Sequence, residues 1–222
     1  LARDPALSFY HDRARRFPSL SGTAEDAMLL RPDVVATSGF AKPYTRALLA
    51  NGGVAVETFE DARNLDDVRR QILRMGRLLD QAERAAAAVA RIDEAERRAR
   101  MRPSPPLSIL PLERRGWITG RDTLLTDLLG RAGHVNMGAR FDAYGARLPL
   151  EIIAAQRPDR LLLTAAAGRS EDQGSALLLH PALAGLRARG VIMMPERLLV
   201  CAGPMQAEAI DLLSAAVAPA RR

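Results

Sequence analysis

Two glutamates, Glu25 and Glu151, stand in matching surroundings 126 residues apart. The first opens Glu25-Asp-Ala-Met-Leu-Leu-Arg31-Pro32-Asp33-Val-Val-Ala, the second Glu151-Ile-Ile-Ala-Ala-Gln-Arg157-Pro158-Asp159-Arg-Leu-Leu-Leu. A carboxylate in the first turn of a helix is favoured by a few tenths of a kcal/mol. An exposed one can also accept charge-assisted hydrogen bonds from a partner's cations. In both copies a short amphipathic helix runs into Arg-Pro-Asp, and proline disfavours the helical conformation in the residue before it. The apolar runs that follow, Val34-Val35-Ala36 and Leu161-Leu162-Leu163, read as buried parallel strands. One supersecondary unit used twice predicts two similar α/β lobes, with something held in the cleft between them.

Other reactive side chains are sparse. Cys201 is alone, which excludes an internal disulfide and any multi-cysteine metal site. His11, His134 and His180 are scattered without ligand spacing, so no metal site is expected. His134 reads as structural, and Met193-Met194 as core. There is no Gly-x-Ser-x-Gly elbow, Walker loop, Gly-x-Gly-x-x-Gly or His-Glu-x-x-His, so no catalytic site is expected. Net charge is +6, yet Lys42 is the only lysine among 32 basic residues and the arginines alternate with acids. With 4% aromatics there is no stacking platform, and nucleic acid is not an expected partner. At 222 residues and 48% hydrophobic content the chain can bury a sizeable core, and no apolar run approaches a membrane span. It opens on Leu1-Ala2-Arg3-Asp4 with neither an initiating Met nor a signal peptide, which reads as a processed or truncated start.

The elements that must position these residues follow in βα order, implying mostly parallel sheets. Thr23 can cap the helix bearing Glu25. Strand Val34–Thr37, a helix around Tyr44–Ala50 and strand Val54–Thr58 come next. Asn64 caps a helix with apolar period at Val68, Ile72, Met75, Leu78 and Leu79. A second helix, Ala82 to Met101, would be roughly 30 Å long. Without a sustained heptad it reads as a rigid spacer. The linker Arg102-Pro103-Ser104-Pro105-Pro106 leads to strand Leu107–Pro111, a turn at Trp117–Gly120, and a helix at Thr123–Ala132. After the second repeat copy come loop Thr164–Gly174, helix Pro181–Arg189, strand Val191–Met194 and a terminal helix from Pro204 to Val217. The expected division is an N-terminal lobe at 1–80, an interdomain helix at 81–102 and a C-terminal lobe at 103–222.

Together these residues resemble the periplasmic substrate-binding proteins of ABC importers for iron chelates, heme and cobalamin. The likeness rests on Gly22-Thr23-Ala24-Glu25 through Val35, on Trp117-Ile118-Thr119-Gly120-Arg121-Asp122-Thr123-Leu124, and on Ala132-Gly133-His134-Val135-Asn136. Glu151 through Asp159 and the closing Gly203–Ala209 complete it. The resemblance implies an α/β fold of two lobes joined by one long helix, and a first lobe lacking its usual opening strand and helix. It implies a monomeric, exported, non-catalytic receptor that needs no cofactor. That receptor captures a metal chelate, a ferric siderophore foremost, and delivers it to the membrane permease. Heme and cobalamin are the alternative cargoes, and a chelatase-like enzyme or a sensor domain the alternative classes.

By the same resemblance Glu25 and Glu151 dock onto an arginine pocket of the permease. Ligand contacts are expected at the carboxyl ends of the parallel strands. In the first lobe these are Ser38, Gly39, Phe40, Lys42 and Tyr44. In the second they are Arg114, Arg115, Trp117 and Arg121, followed by Arg169, Glu171 and Asp172. Arginines there suit an anionic chelate. Any of Tyr10, Tyr44 and Tyr144 could ligate heme iron.

Overall fold

The computed structural model describes residues 3–102, 105–164 and 173–216, with backbone alone at 173–175. The chain forms two compact units, Tyr10–Asp61 and Leu1–Phe9 with Ala62–Arg222. Each has its own core.

In the smaller unit the first repeat copy folds as its sequence dictates. After a single turn, α1 (His11–Ala14), the helix α2 (Ala24–Leu29) starts at Thr23, whose hydroxyl accepts the Asp26 N–H at 3.3 Å. Asp26 in turn accepts the N–H and hydroxyl of Ser21, and these bonds hold its carboxyl below the usual range. Arg31 leaves the helix at φ 48°, just before Pro32. Strand β1 (Val34–Ser38) then pairs in parallel with β2 (Ala55–Phe59), from Val34 opposite Ala55 to Ser38 opposite Phe59. Helix α3 (Pro43–Asn51) makes the crossover. Ala24, Ala27 and Leu49 form the buried centre, against Val35, Leu48, Val54 and Val56.

The larger unit begins with α4 (Leu65–Leu78), capped by Asn64, and the 19-residue α5 (Ala82–Arg100). The two pack face to face, and Gly76 permits their approach because a Cβ there would collide with Ala85. Next come β3 (Ser108–Pro111), β4 (Trp117–Thr119), α6 (Leu124–Arg131), β5 (Val135–Asn136) and β6 (Gly145–Arg147). The second repeat copy supplies α7 (Leu150–Ala154) and β7 (Arg160–Thr164). Helices α8 (Gln173–Leu179) and α9 (Ala184–Ala188), strand β8 (Val191–Met194) and α10 (Gln206–Ala215) complete it.

Strands β5, β3, β7 and β8 make one parallel sheet in that order. Its alternating side chains feed two cores. Ile109, Leu162, Ile192 and Met194 join Val68, Ile92, Leu128 and Leu213 on the face covered by α4, α5, α6 and α10. Leu110, Leu161 and Leu163 join Ile118, Ile153, Leu178 and Leu186 on the other. A sheet covered on both faces explains why β7 reads as an unbroken apolar run.

Three sequence expectations change here. Trp117–Gly120 is not a turn: Trp117-Ile118-Thr119 is a strand, antiparallel to Gly145–Arg147, with Ile118 turned inward and Trp117 outward. The expected helix Pro181–Arg189 is a 3₁₀ turn, Pro181–Leu183, followed by α9, since the backbone departs from helical geometry at Leu183. Of Met193 and Met194 in β8, only Met194 is core, beside Ile192; Met193 faces outward.

Three helices of this unit meet around one buried carboxylate. Glu96 of α5 accepts from Arg69 of α4 at 2.6 Å, from Arg100 one turn on at 2.6 Å, and from Arg131 of α6 at 2.7 Å. Burial alone would raise its pKa, but these bonds overcome that and lower it from 4.5 to about 2. Folding therefore gains from the ionised form above pH 4.5, and the gain disappears as pH falls toward 2. A drop of that size corresponds to roughly 3 kcal/mol. Glu96→Gln is expected to lower unfolding free energy by about that amount at pH 7. Denaturant titrations should show the wild-type advantage shrinking steadily from pH 5 to pH 2.5.

Candidate functional site

The carboxyl ends of the strands put two loop edges on the surface, one in each unit. In the smaller unit, β1 ends at Ser38 and the chain turns through Gly39-Phe40-Ala41 into α3. The turn is tight: Gly39 donates to Phe59 O at 3.1 Å and Ala41 to Ser38 O at 3.0 Å. The Glu60 carboxylate lies against Gly39, close to where a Cβ would stand. Ser38, Phe40, Lys42 and Tyr44 come together on this edge, all exposed, with Phe40 at 81% and Tyr44 at 73%. Large aromatics left this open are what a binding surface requires.

In the larger unit the edge is built by the antiparallel pair β4–β6, a hairpin-like pairing whose two strands are joined through α6 and β5. After β3, Glu113 donates its N–H to nothing in the sheet but to Trp117 O at 2.7 Å, which closes the turn Arg114-Arg115-Gly116. Arg115 (φ 59°) and Gly116 (φ 76°) are both left-handed, which raises Arg115 outward. Gly116 is enclosed: a Cβ would lie 2.7 Å from Leu148 O and 3.3 Å from Ile153 Cδ1. The Glu113 carboxyl is pushed up by burial, against the Thr119 hydroxyl bond at 3.0 Å that favours its charge.

Trp117, 44% exposed, lies over Gly145, where a Cβ would stand 2.7 Å from its indole nitrogen. Tyr144, which precedes Gly145 in the chain, is 58% exposed. Its backbone is fixed by Asp142, whose Oδ1 accepts the N–H groups of Tyr144 at 2.8 Å and Gly145 at 3.1 Å. Those two bonds, Gly145 first, hold the Asp142 carboxyl below the usual range. The Arg63 guanidinium stands 5.3 Å from the Tyr144 ring centre. Arg147 donates to Arg115 O at 3.1 Å, and the two arginines rim a hollow of about 290 Å³ floored by Leu148, Leu150 and Leu177. Arg121 is exposed at the far end of the hairpin.

Of the residues expected at the site, Arg114, Arg115, Trp117 and Arg121 are thus grouped on one edge, and Ser38, Phe40, Lys42 and Tyr44 on another. Arg169, Glu171 and Asp172 lie outside the described residues. Arg63 and Arg147 are additions from the structure, and Tyr144, one of three tyrosines named from the sequence as possible iron ligands, belongs to the second edge. The turn signal Asp142-Ala143-Tyr144-Gly145 could have placed Tyr144 on a hairpin. Arg63, 81 residues away in sequence, carried no such signal.

Glu25 and Glu151 occupy equivalent backbone positions, the second residue of α2 and of α7, and both are exposed. Their surroundings differ. Met28, Leu29 and Leu30 are exposed beyond Glu25, whereas Ile152 is exposed beside Glu151 and Ile153 is fully buried. The Asp of the second copy has structural work: Asp159 Oδ2 accepts the N–H and hydroxyl of Ser108 at 2.8 and 2.6 Å, tying β7 to the start of β3. The Ser108 hydroxyl bond is the main reason its carboxyl stays below the usual range. His134 is buried, its Nδ1 accepting from Leu107 N–H at 3.4 Å, and burial pushes its pKa down. It is part of the fold. Among the described residues no group of three or more His, Cys, Asp or Glu is arranged to hold a metal ion, and no helix is long and apolar enough to cross a membrane.

Comparison with known proteins agrees with this architecture. No curated protein sequence matches the chain. Among solved structures it is similar to the periplasmic heme-binding protein BhuT in complex with two hemes. The TM-score is 0.79 at 28% identity, over 95% of this chain and 87% of that one. It is also similar to the periplasmic heme-binding protein RhuT from Roseiflexus sp. RS-1 in apo form (TM-score 0.73, 26% identity, 88% and 81% covered). A periplasmic heme binding protein from Pseudomonas aeruginosa gives TM-score 0.73 and 26% identity, with 88% and 75% covered. The family model described as periplasmic binding protein matches residues 19–190, and the chain belongs to that family.

Proposed function

We propose that this protein is the exported solute receptor of an ABC importer and that its cargo is heme. The carrying observation is the β4–β6 edge, where exposed Trp117 stands opposite Arg147, Arg147 bonds Arg115 O, and the exposed Tyr144 ring faces Arg63. A flat apolar macrocycle with two carboxylates needs ring faces to stack on and guanidinium groups to pair with. The similar structures above 25% identity named here are all described as heme-binding, which favours heme over the ferric siderophore that the sequence put first. The exposed edge Ser38–Tyr44 of the smaller unit is proposed as a ligand-contacting surface in its own right, with Phe40 and Tyr44 as its aromatic groups and Lys42 as its charge. Glu25 and Glu151 are proposed to engage cationic groups of the permease. Nothing in this reading requires catalysis or a resident cofactor.

Trp117 is the only tryptophan, so its emission reports directly on this edge. Ferric heme is expected to quench it saturably, with a matching shift of the Soret band. At a hundredfold excess over Kd, heme should stabilise the fold by about 2.7 kcal/mol. Saturable quenching by a ferric hydroxamate or by cobalamin, with no response to heme, would reassign the cargo.

Charge recognition is tested separately. Arg115→Ala combined with Arg147→Ala should weaken heme binding by about tenfold or more, as loss of hydrogen bonds to a charged group does. Heme dimethyl ester, which lacks the carboxylates, should bind wild type and the double variant alike. Equal losses for both ligands would mean the arginines act only by shaping the hollow.

For docking, Glu25→Arg with Glu151→Arg is expected to abolish uptake in cells that depend on this protein. Heme affinity in solution should be unchanged. Each single variant should lower uptake by about tenfold, the value of one charge-assisted contact. Normal uptake by the double variant would remove both residues from the permease interface.

A further inference from the structure

The two strands that flank β7 each deliver a glutamate to the carboxyl end of the sheet. Pro111 of β3, Leu162 of β7 and Ile192 of β8 stand side by side. Two residues on, Glu113 leaves the sheet level with Met194, and Glu196 follows two residues beyond that. Two steps across a sheet separate the chains by roughly 10 Å, a gap that two glutamate side chains can close. Both residues are mostly buried. Glu113 Oε1 accepts the Thr119 hydroxyl at 3.0 Å, and Glu113 N–H bonds Trp117 O at 2.7 Å, so this one residue ties both ends of β4. Glu196 Oε2 is buried and, among the described residues, has no hydrogen-bond partner.

A buried carboxylate oxygen without a donor is costly, and a second carboxylate nearby adds repulsion. The surroundings do not relieve it. Burial acts first on the Glu113 carboxyl, then the Thr119 hydroxyl of β4, then the like charge of Glu196. Arg114 and Arg197, the next residues in the chain after each glutamate, are exposed and are not among these influences. One proton held by the pair removes a charge and supplies the missing donor. We propose that Glu113 and Glu196 share a proton and that this proton governs how β4 presents Trp117, a regulation that rests on the cargo reading above. Its loss sets two carboxylates against each other at the base of β4 and strains both of the ties that Glu113 makes. It also adds negative charge below an edge proposed to take an anionic cargo. Both effects have one sign: the cargo is held more tightly on the acid side.

The first test needs no ligand. Trp117 emission of the full chain is followed against pH for wild type, Glu113→Gln and Glu196→Gln, with thermal melts at each pH. A carboxyl raised by the fold ionises above its ordinary 4.5, so wild type should show a transition above that pH. Glu113→Gln should abolish the transition, and Glu196→Gln should move it down toward 4.5. Because the cost of ionising Glu113 appears only as pH rises through the transition, Glu113→Gln should melt no lower than wild type on the alkaline side. Ferric heme binding is then measured on both sides. Wild type should lose affinity a few-fold across the transition, while Glu113→Gln keeps its acid-side affinity. The pH dependence of heme itself is common to both proteins and cancels in their ratio. A transition unchanged in both variants overturns the shared proton, as does a Glu113→Gln protein that melts well below wild type on the alkaline side alone. Equal affinity changes in wild type and Glu113→Gln overturn the regulation. Wild type that binds no heme overturns the cargo reading, whereas the ligand-free titration still decides the shared proton.

Discussion

A carboxylate cannot be buried in a small helical layer unless cations arrive with it, and Glu96 imposes that condition on the larger unit. Arg69, Arg100 and Arg131 reach it from α4, α5 and α6, so three helices must converge in one register. The same arginines extend the network outward. Arg69 also holds Asp66 and Asp93, and Arg131 also holds Asp66 and Asp127. Asp127 returns to the backbone by accepting Leu65 N–H at 2.8 Å, which starts α4. A hydrophobic replacement of the cluster could be as stable, since desolvation consumes much of what ion pairs contribute. What the charges add is direction: apolar helices can slide past one another, whereas a three-arginine socket fixes α4 and α6 against α5. With α6 fixed, Thr123 and Thr126 are fixed too. Their hydroxyls bond Gly120 O at 3.0 and 2.6 Å, just where the β4 strand ends. The ion cluster thus sets the base of the hairpin that carries Trp117.

At its other end the hairpin is tied to the helix that presents Glu151. Gly116 accepts Leu148 N–H at 2.9 Å, and a Cβ on it would meet Ile153 Cδ1 at 3.3 Å. Only two residues, Pro149 and Leu150, separate Leu148 from Glu151. The proposed cargo edge and the proposed docking carboxylate are therefore parts of one rigid piece rather than of separate loops. A left-handed Arg115-Gly116 pair is the cost of this, because a residue with a side chain at 116 would push Leu148 and α7 away.

Much of this was legible in the sequence, for identifiable reasons. The repeat announced two copies of a helix, an Arg-Pro-Asp turn and a strand because proline, capping residues and apolar runs act locally. Thr23, Asn64 and Thr123 cap the helices that follow them, as local chemistry requires. The hairpin was not legible. Trp117-Ile118-Thr119 is too short for its alternation to register, and its partner Gly145–Arg147 lies beyond an intervening helix, so only tertiary pairing makes either a strand. The tyrosine and arginine of the same edge come from positions 144 and 63. No spacing rule connects them; α4 and the hairpin must both fold before they meet. Glu96 was hidden differently. In an Arg- and Glu-rich helix it looks like any solvated charge, and only three-dimensional burial distinguishes it from Glu94.

The arginines serve two different purposes in the larger unit. On the helical side, arginines are matched by acids: Arg69, Arg70, Arg97, Arg98, Arg100 and Arg131 each contact a carboxylate. On the hairpin side the pattern changes. Arg147 donates to a carbonyl and Arg63 faces an aromatic ring, and among the described residues neither is paired with an acid. Uncompensated guanidinium groups beside exposed aromatics hold an electrostatic deficit that an anionic ligand can fill without displacing an internal partner. A nucleic acid would need that charge spread along a groove. Two such groups, Arg147 beside Trp117 and Arg63 beside Tyr144, suit a compact dianion better than a polymer.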